Sequence, residues 1–172
     1  KTILLDVGAK LSVEKKEAWQ EKVTSSFAKR SLIPYLKSRG VAKIDQLVLT
    51  DSEPEQLDHL LEISKAFNLG EILVTEETLS KREFMDKLKE SNLKVRPIKT
   101  GEQLFIFGSS LEVIENQNSD SQASIAMYGK LLNKTFLVTG NIEEKFLIKY
   151  YPKIQADVVI THQQASKKKT YV

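Results

Sequence analysis

The chain has 172 residues, 41% hydrophobic and 28% charged, with a formal net charge of +3, the balance of one globular domain with a core of its own rather than of a nucleic-acid binder. It contains no cysteine, which excludes disulfides and thiolate metal sites. No apolar run approaches the length that spans a bilayer, and no signal-peptide pattern opens the sequence.

The first residues, Lys1-Thr2-Ile3-Leu4-Leu5-Asp6, already read as a strand over 3–7, stopped by Gly8. A natural N-terminus rarely opens this way, so a single domain over 1–172, cut from a longer protein, is expected. Residues 9–24 are polar and charged with Trp19 as the large anchor. They read as a loop, long for a compact domain, with Trp19 closing the core or packing over a cleft. Apolar residues at 32, 33, 35 and 36 predict a helix over 27–39 that Gly40 stops. A second strand over 44–50 runs into the acidic turn Asp51-Ser52-Glu53-Pro54-Glu55-Gln56. Leu57, Leu60, Leu61, Ile63 and Phe67 recur at helical spacing up to Asn68 and Gly70.

Residues 71–75 read as the next strand. Ser80 and Glu83 have capping-box spacing for a helix holding Phe84, Met85 and Leu88. Short strands are expected at 93–98, 103–107 and 110–115, then a wholly polar loop to Gln122. Strands at 123–128 and 133–138 flank an expected tight turn at Gly129. A helix over 142–151 ends at Pro152, and 158–161 is the last strand. Helices and strands alternate early, then strands cluster as antiparallel pairs. The expectation is an α/β chain with a mixed sheet covered by helices.

Chemistry in such proteins sits where strands end. Asp51, Glu53 and Glu55 there offer hard oxygen donors that suit Mg²⁺, Mn²⁺ or Ca²⁺. The same turn also reads as a helix start: Ser52 and Glu55 have capping-box spacing, and Pro54 suits a first helical turn. Asn141 with Glu144 reads likewise as a cap. The run Lys167, Lys168, Lys169 is a solvated tail or a phosphate-contacting patch. His59 and His162 read as ordinary surface or half-buried histidines, and Asp6 as a structural turn residue or, were ligands present, a group supporting them.

Several stretches carry a resemblance. They are Leu4-Leu5-Asp6-Val7-Gly8, the run from Leu32 to Thr50, Phe136-Leu137-Val138-Thr139-Gly140-Asn141, and Tyr151-Pro152 followed by Ala156-Asp157-Val158. Their order resembles the metallo-β-lactamase fold and, more narrowly, the soluble hydrolase-like domain of ComEC-type DNA-internalisation (competence) proteins. The resemblance implies an αββα sandwich, incomplete at both ends and expected here to lack its second half. It also implies a binuclear zinc site, whose metals would lower the pKa of a bridging water.

The departures fall on the metal ligands. Where the family has Thr-His-x-Asp-x-Asp-His, this chain has Thr50-Asp51-Ser52-Glu53-Pro54-Glu55-Gln56. Asn141 replaces the bridging aspartate, and Gln163 and Gln164 replace a later histidine pair. Gln122-Ala123-Ser124 stands where Asn-Asp-Ser is usual. Neutral amides are poor ligands for zinc, so no catalytic residue, metal or cofactor is expected, with weak Mg²⁺ or Mn²⁺ binding left open. What the resemblance implies is a domain of a polytopic protein of the cytoplasmic membrane that passes single-stranded DNA during transformation. Its partners would be the channel portion of the same protein and DNA, through Lys167 to Lys169, and not a small-molecule substrate. The rival readings are a nuclease using a hard cation on Asp51, Glu53 and Glu55, and a folded remnant under little constraint.

Overall fold

The computed structural model describes residues 1–8, 26–50, 54–89, 91–115, 124–142 and 144–161. Among them, the apolar runs become nine strands in two sheets. The first sheet holds β1 (Ile3–Leu5), β2 (Lys43–Val48), β3 (Asn68–Val74) and β4 (Val95–Pro97), in that order and all parallel. Parallel neighbours need crossover connections, and helices supply them. A π-helical stretch, Ala28–Leu32, leads into α1 (Ile33–Ser38). Next come α2 (Pro54–Ala66), α3 (Glu76–Ser80) and α4 (Arg82–Lys89).

Those helices pack on one face of the sheet, where Leu47, Leu49, Ile72 and Val74 meet Leu36, Leu60, Ile63 and Phe84. Val48 and Leu73 point the other way, into the second sheet. A strand buried on both faces loses the alternation of polar and apolar residues, which is why residues 47–49 read as an unbroken Leu-Val-Leu. Ile44 and Leu47 share the helix-facing core although they lie three apart. Asp45 and Gln46 both donate their N–H to the Thr2 carbonyl, at 2.9 and 3.3 Å, and this local break in the ladder flips the parity. Gly70 permits it, since a Cβ there would stand 2.3 Å from the Asp45 carbonyl oxygen.

The second sheet runs β5 (Gln103–Ile106), β6 (Ser109–Glu115), β7 (Ile125–Leu131), β8 (Lys134–Val138) and β9 (Val158–Ile160). The first three pairings are antiparallel, and β9 joins β8 in parallel by way of α5 (Glu144–Tyr150). Leu104, Leu111, Val113, Ile125, Met127 and Val138 fill the space between the sheets. On the outer face, Ile114, Ala126 and Leu137 are covered by Phe146 and Leu147 of α5. The layers are therefore helices, sheet, sheet, helix.

Sequence and structure differ in several places. The strands divide into two sheets instead of forming one mixed sheet, so the second half of the sandwich is present. β4 belongs to the parallel sheet, not to the antiparallel cluster. Gly129 lies inside β7, and the turn falls at Leu132-Asn133, with φ of 48° and 63°. The glycine serves close approach: a Cβ at 129 would lie 2.0 Å from the Ser110 carbonyl oxygen. The β5–β6 turn has the same form, with Phe107 at φ 45° and Gly108 at 78°. Asn68 and Gly70 open β3 instead of ending a helix. Ser80 is not the cap of α4, because its hydroxyl donates to the Glu77 carbonyl at 2.7 Å. Instead Thr75 caps the short α3, its Oγ1 accepting from the Thr78 N–H at 3.0 Å. Pro54 does open α2, as a proline at the first helical position should.

An ionic clamp ties the two sheets midway. Arg96 on β4 donates to Glu71 on β3 at 2.7 Å and to Glu102, just before β5, at 2.6 Å. The Arg96 hydrogen bonds hold both carboxyls below their usual range, against burial, which pushes them up.

Candidate functional site

Four chain segments meet at the C-terminal ends of the parallel strands. Asp6 follows β1 in the left-handed region, at φ 59°, which aspartate tolerates better than most residues. That conformation aims its carboxylate at the end of β2. Oδ1 accepts from the Thr50 N–H and Oδ2 from the Thr50 hydroxyl, each at 2.7 Å. Thr50 is fully buried, so without these acceptors it would hold two unpaired donors.

The Thr50 carbonyl continues the chain of bonds into the second sheet. It accepts from the Ile125 N–H at 2.8 Å and from the Ser124 hydroxyl at 3.1 Å. Ser124 Oγ in turn accepts from the Asn141 N–H at 2.9 Å. Gly140 lets the end of β8 close on this point. Its φ is +51°, and a Cβ would meet the Ile125 carbonyl oxygen at 2.5 Å and Thr50 at 3.1 Å. Beside the cluster opens a cavity of about 290 Å³, lined by Leu5, Asp6, Gly8, Val138, Gly140, Ile160 and Thr161.

α2 braces the same end. His59 is buried, and its Nδ1 pairs with the Gly8 carbonyl at 2.8 Å. One turn further, Glu62 accepts from the Ser26 hydroxyl and pairs with Lys29 at 3.3 Å. Burial pushes the Glu62 carboxyl up, but Ser26 and Lys29 together outweigh it and hold it below the usual range. A single helix thus fixes both Gly8 and Ser26.

Gln56 is buried in the first turn of α2. Asn141 is exposed at the end of β8. Ile142 after it donates its N–H to the Thr139 carbonyl, so Asn141 stands in the turn that leads to α5. Glu55 lies in α2 beside Gln56. Asp51, Ser52, Glu53, His162, Gln163, Gln164, Lys167, Lys168, Lys169 and Trp19 fall outside the described residues. Sequence reasoning missed Thr50 and Ser124 as the residues that stitch the two sheets together. The Asp-x-Gly after β1 was the available signal, because a carboxylate in a left-handed turn needs nearby donors.

Two facing sheets with helices outside both, and a polar cluster at the strand ends, define the class: the chain has a metallo-β-lactamase fold. Its structure matches the metallo-β-lactamase fold protein YhfI from Bacillus subtilis with a TM-score of 0.54 at 13% identity, covering 91% of this chain and 57% of that one. A diphosphatase from the PhnP family aligns with a TM-score of 0.48 at 11% identity, over 86% of this chain and 51% of that one. By sequence the chain is similar to ComE operon protein 3 of Bacillus subtilis (strain 168), 23% identical over 179 residues. That match takes in 98% of this chain but only 23% of the length of the relative. No protein-family model matches the chain.

The resemblance to competence proteins implies a pair of zinc ions at this end, and the described donors do not fit one. Both Asp6 oxygens are engaged by Thr50. Gln56 and Asn141 present neutral amides where zinc takes imidazole, thiolate or carboxylate. What the arrangement does chemically is hold two sheets together through backbone and hydroxyl groups.

Proposed function

We propose that the chain is a domain of a ComEC-type competence protein for DNA uptake, and that it acts without zinc as a structural or DNA-contacting module. The observation that carries this reading is the similarity of 98% of this chain to part of ComE operon protein 3, joined to a strand-end cluster that binds itself. The parent would be a polytopic protein of the cytoplasmic membrane, with its channel portion as the domain's partner. Among the described residues no helix is long and apolar enough to cross a membrane, so the spans would belong to other parts of that protein.

The test is elemental analysis of the purified chain after zinc loading, with single-stranded DNA binding followed over salt concentration. The expected results are zinc far below one equivalent and weak binding with a shallow salt slope, reflecting about two or three phosphates. Changing Lys167, Lys168 and Lys169 together to Ala should remove that binding. Near-equimolar zinc would overturn the metal-free reading. Nuclease activity that needs Mn²⁺ or Mg²⁺ and disappears in Glu53→Gln would favour the hard-cation enzyme instead.

A further inference from the structure

The end of the molecule opposite the polar cluster is built for contact of another kind. The β5–β6 and β7–β8 turns have positive φ at both central residues, the geometry of tight two-residue hairpin turns that normally carry Asn or Gly. Here the first central residues are Phe107 and Leu132, 83% and 93% exposed. A bulky side chain in the left-handed region is strained by roughly 1–2 kcal/mol relative to the right-handed one. Each turn therefore bears local strain to present an apolar side chain to solvent. Ser110 pairs with Lys130, Ile106 with Ser109, and Leu131 with Lys134, so the two turns start at one level on the same edge. Two strand spacings separate them, about 10 Å. Phe105, 65% exposed, stands beside the first.

The charge around these tips is basic. Lys130 has no carboxylate partner among the described residues, and Lys1 donates to the Phe105 carbonyl at 3.0 Å. Lys134 pairs with Asp157 at 3.5 Å, and Asp45, near Lys1, pairs with Lys43 at 3.0 Å. Isolated apolar knobs at one level, with lysines set behind them, differ from the continuous groove that a protein helix or strand fills. They match an interface in which apolar side chains pass between headgroups while ammonium groups meet anionic phosphates.

We infer that the hairpin-tip edge of the second sheet docks on an anionic lipid surface, with Phe107 and Leu132 entering the headgroup layer. This inference is independent of whether Lys167 to Lys169 contact DNA. Flotation of the 172-residue chain with phosphatidylcholine vesicles, with and without phosphatidylglycerol, tests it. The chain should float with the anionic vesicles and lose most of that binding at high salt. The double variant Phe107→Asn, Leu132→Asn should bind at least about tenfold more weakly. Its melting temperature should hold or rise, because Asn suits both turns, so loss of binding cannot be loss of fold. Since the chain has no cysteine, Leu132→Cys gives a unique site for an environment-sensitive dye, whose emission should shift to the blue on adding anionic vesicles. A chain that stays in solution, a double variant that floats as well as the parent, or a dye that does not shift overturns the inference. Self-association that the double variant abolishes, without vesicle binding, assigns the edge to a second copy of the chain instead.

Discussion

At one end of the sandwich polar side chains turn inward and bond to one another; at the other, apolar side chains turn outward and stand largely exposed among the described residues. Asp6, Thr50 and Ser124 illustrate the first arrangement, in which the Thr50, Ser124 and Asn141 donors each find an acceptor within about 3 Å. Phe107 and Leu132 illustrate the second, where strained backbone displays large apolar groups to water. The Asp6 carboxylate is turned toward Thr50, each of its oxygens accepting one of that residue's hydrogen bonds. An exposed phenyl ring in a strained turn has its favourable interactions still to make. The difference separates an end that ties the two sheets together from an end that displays apolar side chains.

Breaking the inward end should have the largest effect. Asp6→Ala leaves the buried Thr50 N–H and hydroxyl without acceptors, and a loss of about 3 kcal/mol is expected in urea denaturation. Asp6→Asn should be milder, because it keeps one acceptor oxygen and tolerates the left-handed backbone. A loss below about 1 kcal/mol in Asp6→Ala would show that this end does not lock the sheets. The clamp between the two ends comes next. Arg96 is partly exposed, so Arg96→Met should remove about 1–2 kcal/mol. Its pH signature is specific. Arg96 lowers the Glu71 and Glu102 carboxyls in the folded state, from a usual value of 4.5, so the unfolded chain binds more protons on acidification. The stability they contribute is present above about pH 4.5 and is lost as pH falls through the lowered folded values. Denaturation midpoints taken across the acid range should therefore fall less steeply in Arg96→Met than in the parent.

Relaxing the outward end should do the reverse. Leu132→Asn is expected to raise stability by about 1 kcal/mol, seen as a higher melting temperature. A fall would mean that Leu132 makes contacts that its exposure does not suggest. The smallest effect belongs to Asn141→Asp. Its side chain is exposed and its role in the cluster is through the backbone N–H, so stability should stay within about 0.5 kcal/mol. Zinc titration by calorimetry should show no new site, because one restored carboxylate does not complete a binuclear centre.

Much of the architecture was legible in the sequence because apolar runs are bounded by clear breakers. Gly40 ends the first helix at φ +71°, and Pro54 opens α2. What a single sequence does not encode is which strands become neighbours. Val95-Arg96-Pro97 carries no sign that it pairs with β3, and its place follows from the crossover through α3 and α4. Glycine also misled at 129, where its lack of a Cβ serves packing against Ser110, while the turn is formed by Leu132-Asn133, two residues with no such signature. α3 escaped notice because its cap, Thr75, reads equally well as the end of a strand. At the site, the order of motifs led to an expectation of replaced ligands at Gln56 and Asn141. It gave no sign of the bonds from Thr50 to Ser124 and Ile125, which join residues that only the stacking of two sheets brings together.

Those bonds also bear on how the molecule assembles. The hairpins of the second sheet close over two-residue turns, a local event. The strand-end cluster instead joins Thr50 to residue 124, 74 positions along the chain, and Asp6 to Thr50 across 44. Contacts of long sequence separation carry the larger loop-closure entropy and wait for the local ones. The expected order of events is hairpins and βαβ units first, and the meeting of the two sheets at Thr50 last. In pulse-labelled hydrogen exchange during refolding, the Ile125 and Asn141 amides should gain protection after those of the hairpin strands. The stitch that makes two half-structures into one domain is the last to be tied.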